Sequence, residues 1–147
     1  MSETTAGEDE PGTSTVRTVA RVVLGVALAY AGLAHLFWSR DTFQAQVPDW
    51  VPLDADLVVV LSGIVEIALG AALLLLRRHR ALVGWVVAAF FVAVFPGNIS
   101  QFVDGDAAFG LDSDLARGVR LLFQPVLIVW VLWCTGAWAT WRTRRAG

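Results

Sequence analysis

LVVVLSGIVEIALGAALLLL, residues 57–76, is a run of twenty residues with one charged side chain, that of Glu66. A helix needs about 20 mostly apolar residues to cross the roughly 30 Å hydrocarbon core of a bilayer. Comparable apolar runs recur along the chain, so we predict four membrane-spanning helices, at about residues 16–38, 57–76, 81–102 and 119–141. The predicted fold is an all-α, transmembrane four-helix bundle.

The composition agrees with a membrane protein and argues against several other classes. Of the 147 residues, 56% are hydrophobic and 16% are charged, whereas soluble domains have roughly 25% charged residues. Cys134 is the only cysteine, which excludes a disulfide scaffold within the chain and a thiol-oxidising enzyme built on a cysteine pair. The net charge of -2 argues against binding to nucleic acid.

The two ends of the chain differ in charge from the spans between them. Residues 1–15 are acidic and polar and predict a disordered tail. Residues 16–141 form the predicted helical domain, and residues 142–147 form a basic tail. The chain has no lysine, and most of its arginines lie just before span one, between spans two and three, or just after span four. The positive-inside rule therefore predicts that both termini are cytoplasmic.

Small residues recur at helical spacing in the first two spans. The first span has Gly25, Ala29 and Gly32, and the second has Gly63 and Gly70. Helices in lipid associate by close packing, which small residues permit. Two interpretations stay open, a contact between helices of one subunit and the face of a homo-oligomer.

Polar side chains at membrane depth are rare and are by default functional hypotheses. Five of them are predicted to lie in the outer half of the bundle: His35, Glu66, Asn98, Arg120 and Gln124. At a rise of ~1.5 Å per residue, Glu66 is the deepest, at about 13 Å from the outer boundary. Pro96 and Pro125 each remove one backbone donor beside this cluster. We predict a polar pocket that opens outward, with Glu66 at its floor.

Two readings of this cluster remain open on the sequence. In the structural one, Glu66 pairs with Arg120, or hydrogen-bonds Gln124, His35 and Asn98, and fixes the four helices in one arrangement. In the functional one, Glu66 and His35 bind a ligand or relay a proton, and Arg120 attracts an anionic group. The segment 40–56 either covers the pocket as a lid or is an ordinary connecting loop.

The residues available for cofactors are few. His35 is the only histidine within a span, so a haem held by two intramembrane histidines is excluded, and no three-ligand zinc set exists. The acidic segment Asp104–Asp114 lacks the order of a calcium loop, and His79 is expected to be solvated. We predict no metal. A quinone is the one cofactor left open, because its site needs only a few polar groups in an apolar pocket.

Several short motifs, in order, resemble the DoxX family of small four-span bacterial membrane proteins. They are Gly32-Leu33-Ala34-His35-Leu36, Val47-Pro48 with Trp50 and Pro52, Gly63 with Glu66 and Gly70, Val94-Phe95-Pro96-Gly97-Asn98-Ile99, and Arg120 with Gln124. The resemblance spans about residues 20–131. It implies a multi-pass protein of the bacterial plasma membrane, related to subunits of thiosulfate–quinone oxidoreductase and terminal quinol oxidase assemblies.

We therefore expect a non-catalytic subunit or partner of a membrane redox complex, which is not an enzyme on its own. Its pocket would serve assembly or bind a quinone-like ligand. The alternatives are a small-molecule or proton pathway with Glu66 as the carrier, and a quinone-interacting enzyme with His35 and Glu66 as acid and base. Expected partners are the lipid bilayer, redox-enzyme subunits and a second copy of the chain, but not nucleic acid.

Overall fold

The computed structural model describes residues 14–104 and 114–147, and the regular structure within these residues is entirely helical. This confirms the all-α prediction. A 3₁₀ turn, Arg77–His79, joins α3 to α4. The helices are α1 (Thr15–Phe37), α2 (Arg40–Gln44), α3 (Ala55–Leu75), α4 (Arg80–Asp104), α5 (Asp114–Cys134) and α6 (Ala137–Arg145).

Three of these helices, α1, α3 and α4, are long and apolar enough to cross a membrane. They begin and end within two residues of the first three predicted spans. A fourth span exists if α5 and α6 are counted together. Large apolar side chains such as Val26, Ile64 and Val129 are more than half exposed on the outer faces. Acyl chains accept such faces, whereas contiguous exposure of this kind is unusual in soluble monomers.

The fourth predicted span, 119–141, is wrong as a single straight helix. Helix α5 ends at Cys134, and α6 leaves it at an angle of 68°. Gly136 lies between them with φ +72°, a left-handed conformation that residues with a side chain rarely adopt and that commonly ends helices. Its amide donates to the carbonyl of Trp133, which tightens the last turn.

The predicted tails differ in part from what the structure describes. Residues 1–13 of the acidic tail lie outside the described residues. Ser14 is the N-cap of α1, where its hydroxyl accepts a hydrogen bond from the amide of Arg17, and Thr15 is already helical. At the other end, Arg142 to Arg145 form the last turn of α6 rather than part of a separate tail.

The small residues of α1 and α3 pack these two helices against each other within one subunit. A Cβ on Gly32 would lie 2.5 Å from the carbonyl oxygen of Gly63, and a Cβ on Gly70 would lie 2.6 Å from that of Gly25. The backbones thus touch at two levels. Of the two interpretations left open by the sequence, contact within the subunit is the one observed.

Helices α4 and α5 form the second close pair. Thr135 is fully buried against Gly84 near the beginning of α4. Between the two pairs lies an apolar core whose most enclosed side chains include Leu73, Val87 and Val131. The helices of each pair run antiparallel, so the structure has two ends. We call the end with the start of α1, the start of α4 and α6 the arginine-rich end, and the opposite one the cavity end.

Candidate functional site

His35 and Glu66 face each other across the close contact between α1 and α3. His35 lies one turn after Gly32, and Glu66 lies one turn after Gly63, so the contact between the glycines brings the two side chains together. The Nδ1 atom of His35 is 2.8 Å from Oε2 of Glu66. Both side chains are nearly buried, with 11% and 12% of their surface exposed.

The proton on His35 Nδ1 faces two oxygen atoms. Nδ1 is 2.8 Å from Oε2 of Glu66 and also 2.8 Å from the backbone carbonyl oxygen of Ala31. One N–H cannot form a full hydrogen bond to both. Oε2 of Glu66 is buried and has no other hydrogen-bond donor among the described residues. The carboxylate therefore retains acceptor capacity for a further donor.

Helix α2 covers the histidine. The ring of Phe43 stacks on the imidazole of His35, with 3.4 Å between ring centroids and 22° between planes. Asp56, in the first turn of α3, holds α2 in place, because its carboxylate accepts hydrogen bonds from Arg40 and Gln44, both at 2.7 Å. The connecting segment is thus fixed to the bundle at this point.

Asn98 and Gln124 form the second polar contact, between α4 and α5. The Nδ2 atom of Asn98 donates to Oε1 of Gln124 at 3.1 Å, and Nε2 of Gln124 donates to the carbonyl oxygen of Phe91 at 2.8 Å. The Phe91 carbonyl lies next to that of Val92, whose usual helical donor is missing because Pro96 has no N–H. Gln124 is buried, and both of its polar atoms are satisfied.

Arg120 bonds to the connecting segment rather than to Glu66. Its Nη2 atom donates to Oε1 of Gln46 at 2.5 Å, and Nε2 of Gln46 donates to the carbonyl oxygen of Thr42. The predicted pairing of Glu66 with Arg120 is therefore not what the structure has, and neither are predicted hydrogen bonds from Glu66 to Gln124 or Asn98. His35 takes that place because the contact of Gly32 with Gly63 brings α1 against α3 next to Glu66.

The five predicted side chains nevertheless line one cavity. Its volume is about 360 Å³. A second cavity of about 340 Å³ adjoins it and shares seven lining residues with it, among them His35, Phe43 and Asn98. Val47, Pro48, Trp50 and Val51 cover the second cavity, so the connecting segment forms a wall over the site. The predicted site residues that line the first cavity are His35, Glu66, Asn98, Arg120 and Gln124.

Sequence reasoning did not single out two residues that complete this wall, Phe43 and Gln46. Phe43 and Gln46 lie in the connecting segment, where no helical periodicity indicates which side chains point inward. Ser62 precedes Gly63 and lies four residues before Glu66, so helical spacing places it on the same face. That spacing predicts Ser62 on the stripe of Glu66, and both residues line the first cavity.

The opposite half of the bundle is less apolar than the sequence suggests. Arg21 is 5% exposed, and its Nη1 donates to the carbonyl oxygen of Leu73 at 3.0 Å. Leu73 belongs to the last turn of α3, whose carbonyls lack helical donors, so the guanidinium satisfies one of them. We expected Arg21 to be a flanking charge, whereas it is a buried helix cap.

No group of three or more histidine, cysteine, aspartate or glutamate side chains suited to a metal ion is found in the part of the chain that the structure describes. Most of the acidic segment Asp104–Asp114 lies outside that part. The prediction of no metal there stays a prediction.

Comparison with known proteins gives a family match. The family model described as "Domain of unknown function (DUF8561)" matches residues 24–135, more than half of the chain. The chain belongs to this family. No curated protein and no solved structure matches it. The DUF8561 match includes the five predicted site residues and ends at the break between α5 and α6.

The DUF8561 match overturns the resemblance to the DoxX family. The motifs behind that resemblance have structural explanations that carry no family information. Gly32, Gly63 and Gly70 are contact points between helices, and Asn98 and Gln124 bond to each other beside a proline. Close packing of membrane helices favours small residues, and a proline inside a helix leaves a backbone carbonyl without its donor, beside which polar side chains are favoured.

Proposed function

We propose that this DUF8561 protein is a four-span protein of the bacterial plasma membrane, with both termini in the cytoplasm, and that its cavity binds a small amphiphilic molecule. The observation that carries the proposal is the arrangement around Glu66. A buried carboxylate oxygen with spare acceptor capacity lines a cavity of about 360 Å³ that amide and guanidinium groups of other helices also reach. Ligand sites are typically apolar cavities with a few convergent polar groups.

The polar groups define the chemistry of the ligand. Oε2 of Glu66 can accept a hydrogen bond from the ligand, so the ligand should carry a donor such as a hydroxyl or an amine. Most of the remaining wall is apolar, with Leu28, Phe90 and Phe123 among its members, so the body of the ligand should be apolar or aromatic. A quinol, which carries hydroxyl donors on an apolar ring, is one molecule of this kind. The sequence left a quinone open as a cofactor, and the quinol is the form that fits this site better, because a quinone has no hydroxyl donor for Glu66.

The redox-complex role depended on the family resemblance that the comparison contradicts. It stays a prediction without support from the chain itself. Association with a second copy of the chain likewise stays a prediction, although the glycines that suggested it are used inside the subunit. The ligand site is proposed from the cavity alone.

A proton pathway through the whole bundle is less well supported than a ligand site. From the His35–Glu66 pair towards the arginine-rich end, the buried side chains of the described residues form an apolar cluster that includes Leu24, Leu69 and Leu73. A relay needs polar groups or water at intervals of hydrogen-bond length. The polar groups of the site are open only towards the cavity end.

The test is to purify the protein from native membranes and to measure by mass spectrometry which lipophilic molecules remain bound per protein. Glu66→Gln replaces one carboxylate oxygen by an amide nitrogen and keeps the shape. A hydrogen bond to a charged group contributes about 1.5–3 kcal/mol, so we expect at least about tenfold less of the bound molecule. A short-chain benzoquinol, added to the purified protein, tests the quinol directly.

Asp49→Asn is the matched control, because Asp49 is an exposed carboxylate of the connecting segment that lines neither cavity. It removes the same charge and should leave the bound molecule unchanged. The ligand proposal is wrong if wild-type protein, Glu66→Gln and Asp49→Asn retain the same molecules in the same amounts.

A further inference from the structure

A groove of about 380 Å³ lies at the arginine-rich end, between the beginning of α4 and helix α6. Leu82, Trp85 and Trp141 give it an apolar wall, and His79 and Arg144 give it polar groups. It shares no residue with the cavity at the other end of the bundle. It lies beyond the bend at Gly136, where α6 departs from the direction of α5 by 68°.

Helix α6 presents its arginines on two different faces. Arg142 lies over the ring of Trp138, and Arg145 lies over the ring of Trp141, at 5.7 and 4.2 Å from the ring centroids. Arg144 instead lines the groove. Trp141 and Arg144 stand three residues apart and so share one face of the helix. The groove therefore combines one guanidinium with an apolar and aromatic wall.

The positive charge at this end has no acidic neighbour in residues 14–104 and 115–147. Among those residues the ion pairs are His35 with Glu66 and Arg40 with Asp56, and both lie at the cavity end. Arg77 and Arg78 are exposed beside the groove, as is the whole of 140–147. A concentration of unpaired guanidinium groups at the level of interfacial tryptophans is complementary to lipid phosphate.

We propose that this groove is a binding site for an anionic phospholipid. Arg144 and His79 would contact the phosphate of the head group, and Leu82 and Trp85 would lie along the beginning of an acyl chain. Basic pockets beside membrane helices bind anionic head groups in this way. A helix that lies at an angle to its span and carries both arginine and tryptophan suits the membrane surface.

Native mass spectrometry of the full chain in mild detergent tests the proposal. The protein is titrated with phosphatidylglycerol or with phosphatidylcholine of the same acyl chains. Wild-type protein should bind the first phosphatidylglycerol molecule more tightly. Arg144→Gln should weaken that binding by about fivefold, the effect of one basic residue near a membrane surface, and should leave phosphatidylcholine unchanged.

Arg142→Gln is the matched control, because it removes the same charge from the same helix but from the face that does not line the groove. It should change phosphatidylglycerol binding by less than about twofold, a smaller effect than that expected for a groove residue. Equal losses in both variants would mean diffuse attraction and would overturn the site. Unchanged binding in Arg144→Gln would overturn it as well.

Two further measurements distinguish a bound lipid from other possible occupants of the groove. Neutralising the four acids of the N-terminal segment, Glu3, Glu8, Asp9 and Glu10, should leave lipid binding unchanged. A several-fold increase would identify that segment as the occupant and overturn the proposal. Inorganic phosphate should displace the lipid no better than sodium chloride of equal ionic strength, whereas specific displacement would indicate a site for free phosphate.

Discussion

His35→Leu should lower the free energy of unfolding by about 3–5 kcal/mol, the cost typical of leaving a buried carboxylate without its partner. The substitution removes the only hydrogen-bond donor that faces Oε2 of Glu66 among the described residues. It also removes the ring on which Phe43 stacks, so helix α2 loses a contact. Titration with sodium dodecyl sulfate in mixed micelles, followed by tryptophan fluorescence, measures the change.

The double variant His35→Leu with Glu66→Leu measures how much of this loss comes from the interaction between the two side chains. Removing both partners leaves no buried charge without a partner, so we expect it to be more stable than His35→Leu alone by several kcal/mol. Glu66→Gln alone should change stability by less than about 1 kcal/mol, because the amide still offers an oxygen to the imidazole. Glu66→Leu alone completes the cycle, and strictly additive effects of the two leucine substitutions would show that the two side chains have no interaction energy with each other.

The positions of the helices could be predicted because the apolar blocks are long and regular. Residues 57–76 have one charge in twenty, and only a helix of about that length satisfies its backbone in lipid. The gathering of the five polar residues in one region followed from the same regularity. A constant rise per residue fixes depth along each span, so antiparallel helices with polar groups near their shared end must bring them to one level.

The partners within the cluster could not be predicted, because they depend on how closely each pair of helices approaches. Glu66 lies at a depth from which His35, Asn98, Arg120 and Gln124 all looked accessible. The contact of Gly32 with Gly63 decides in favour of His35. Arg120 donates its hydrogen bond to Gln46, a residue of the connecting segment. No periodic pattern in that segment indicates which way the Gln46 side chain points.

The end of the fourth span could have been predicted better. Gly136 is a common signal for the end of a helix, and it lies inside the predicted range. The tryptophans at 138 and 141 favoured a longer span, because such rings mark the membrane interface. Both signals have a place in the structure, since α5 ends before Gly136 and both tryptophans belong to α6, which follows the bend.

The second large effect is expected at the contact between α1 and α3. Gly32→Ala should lower the free energy of unfolding by about 1–3 kcal/mol, the usual cost of overpacking. Its Cβ would lie 2.5 Å from the Gly63 carbonyl oxygen and 2.9 Å from the Ile67 amide nitrogen, and backbone atoms cannot rotate away.

The two helices must therefore move apart in Gly32→Ala, and His35 must move away from Glu66 with them. The variant should thus lose bound ligand as well as stability, although no atom of the site has been replaced. Gly118→Ala in α5 is the matched control, because among the described residues its Cβ would meet Phe102 alone, at an ordinary 3.8 Å. Alanine there should stabilise the helix by about 0.5–1 kcal/mol, the normal difference between the two residues. If the two alanine variants unfold alike and retain the same ligand, the glycine contact does not set the geometry of the His35–Glu66 pair.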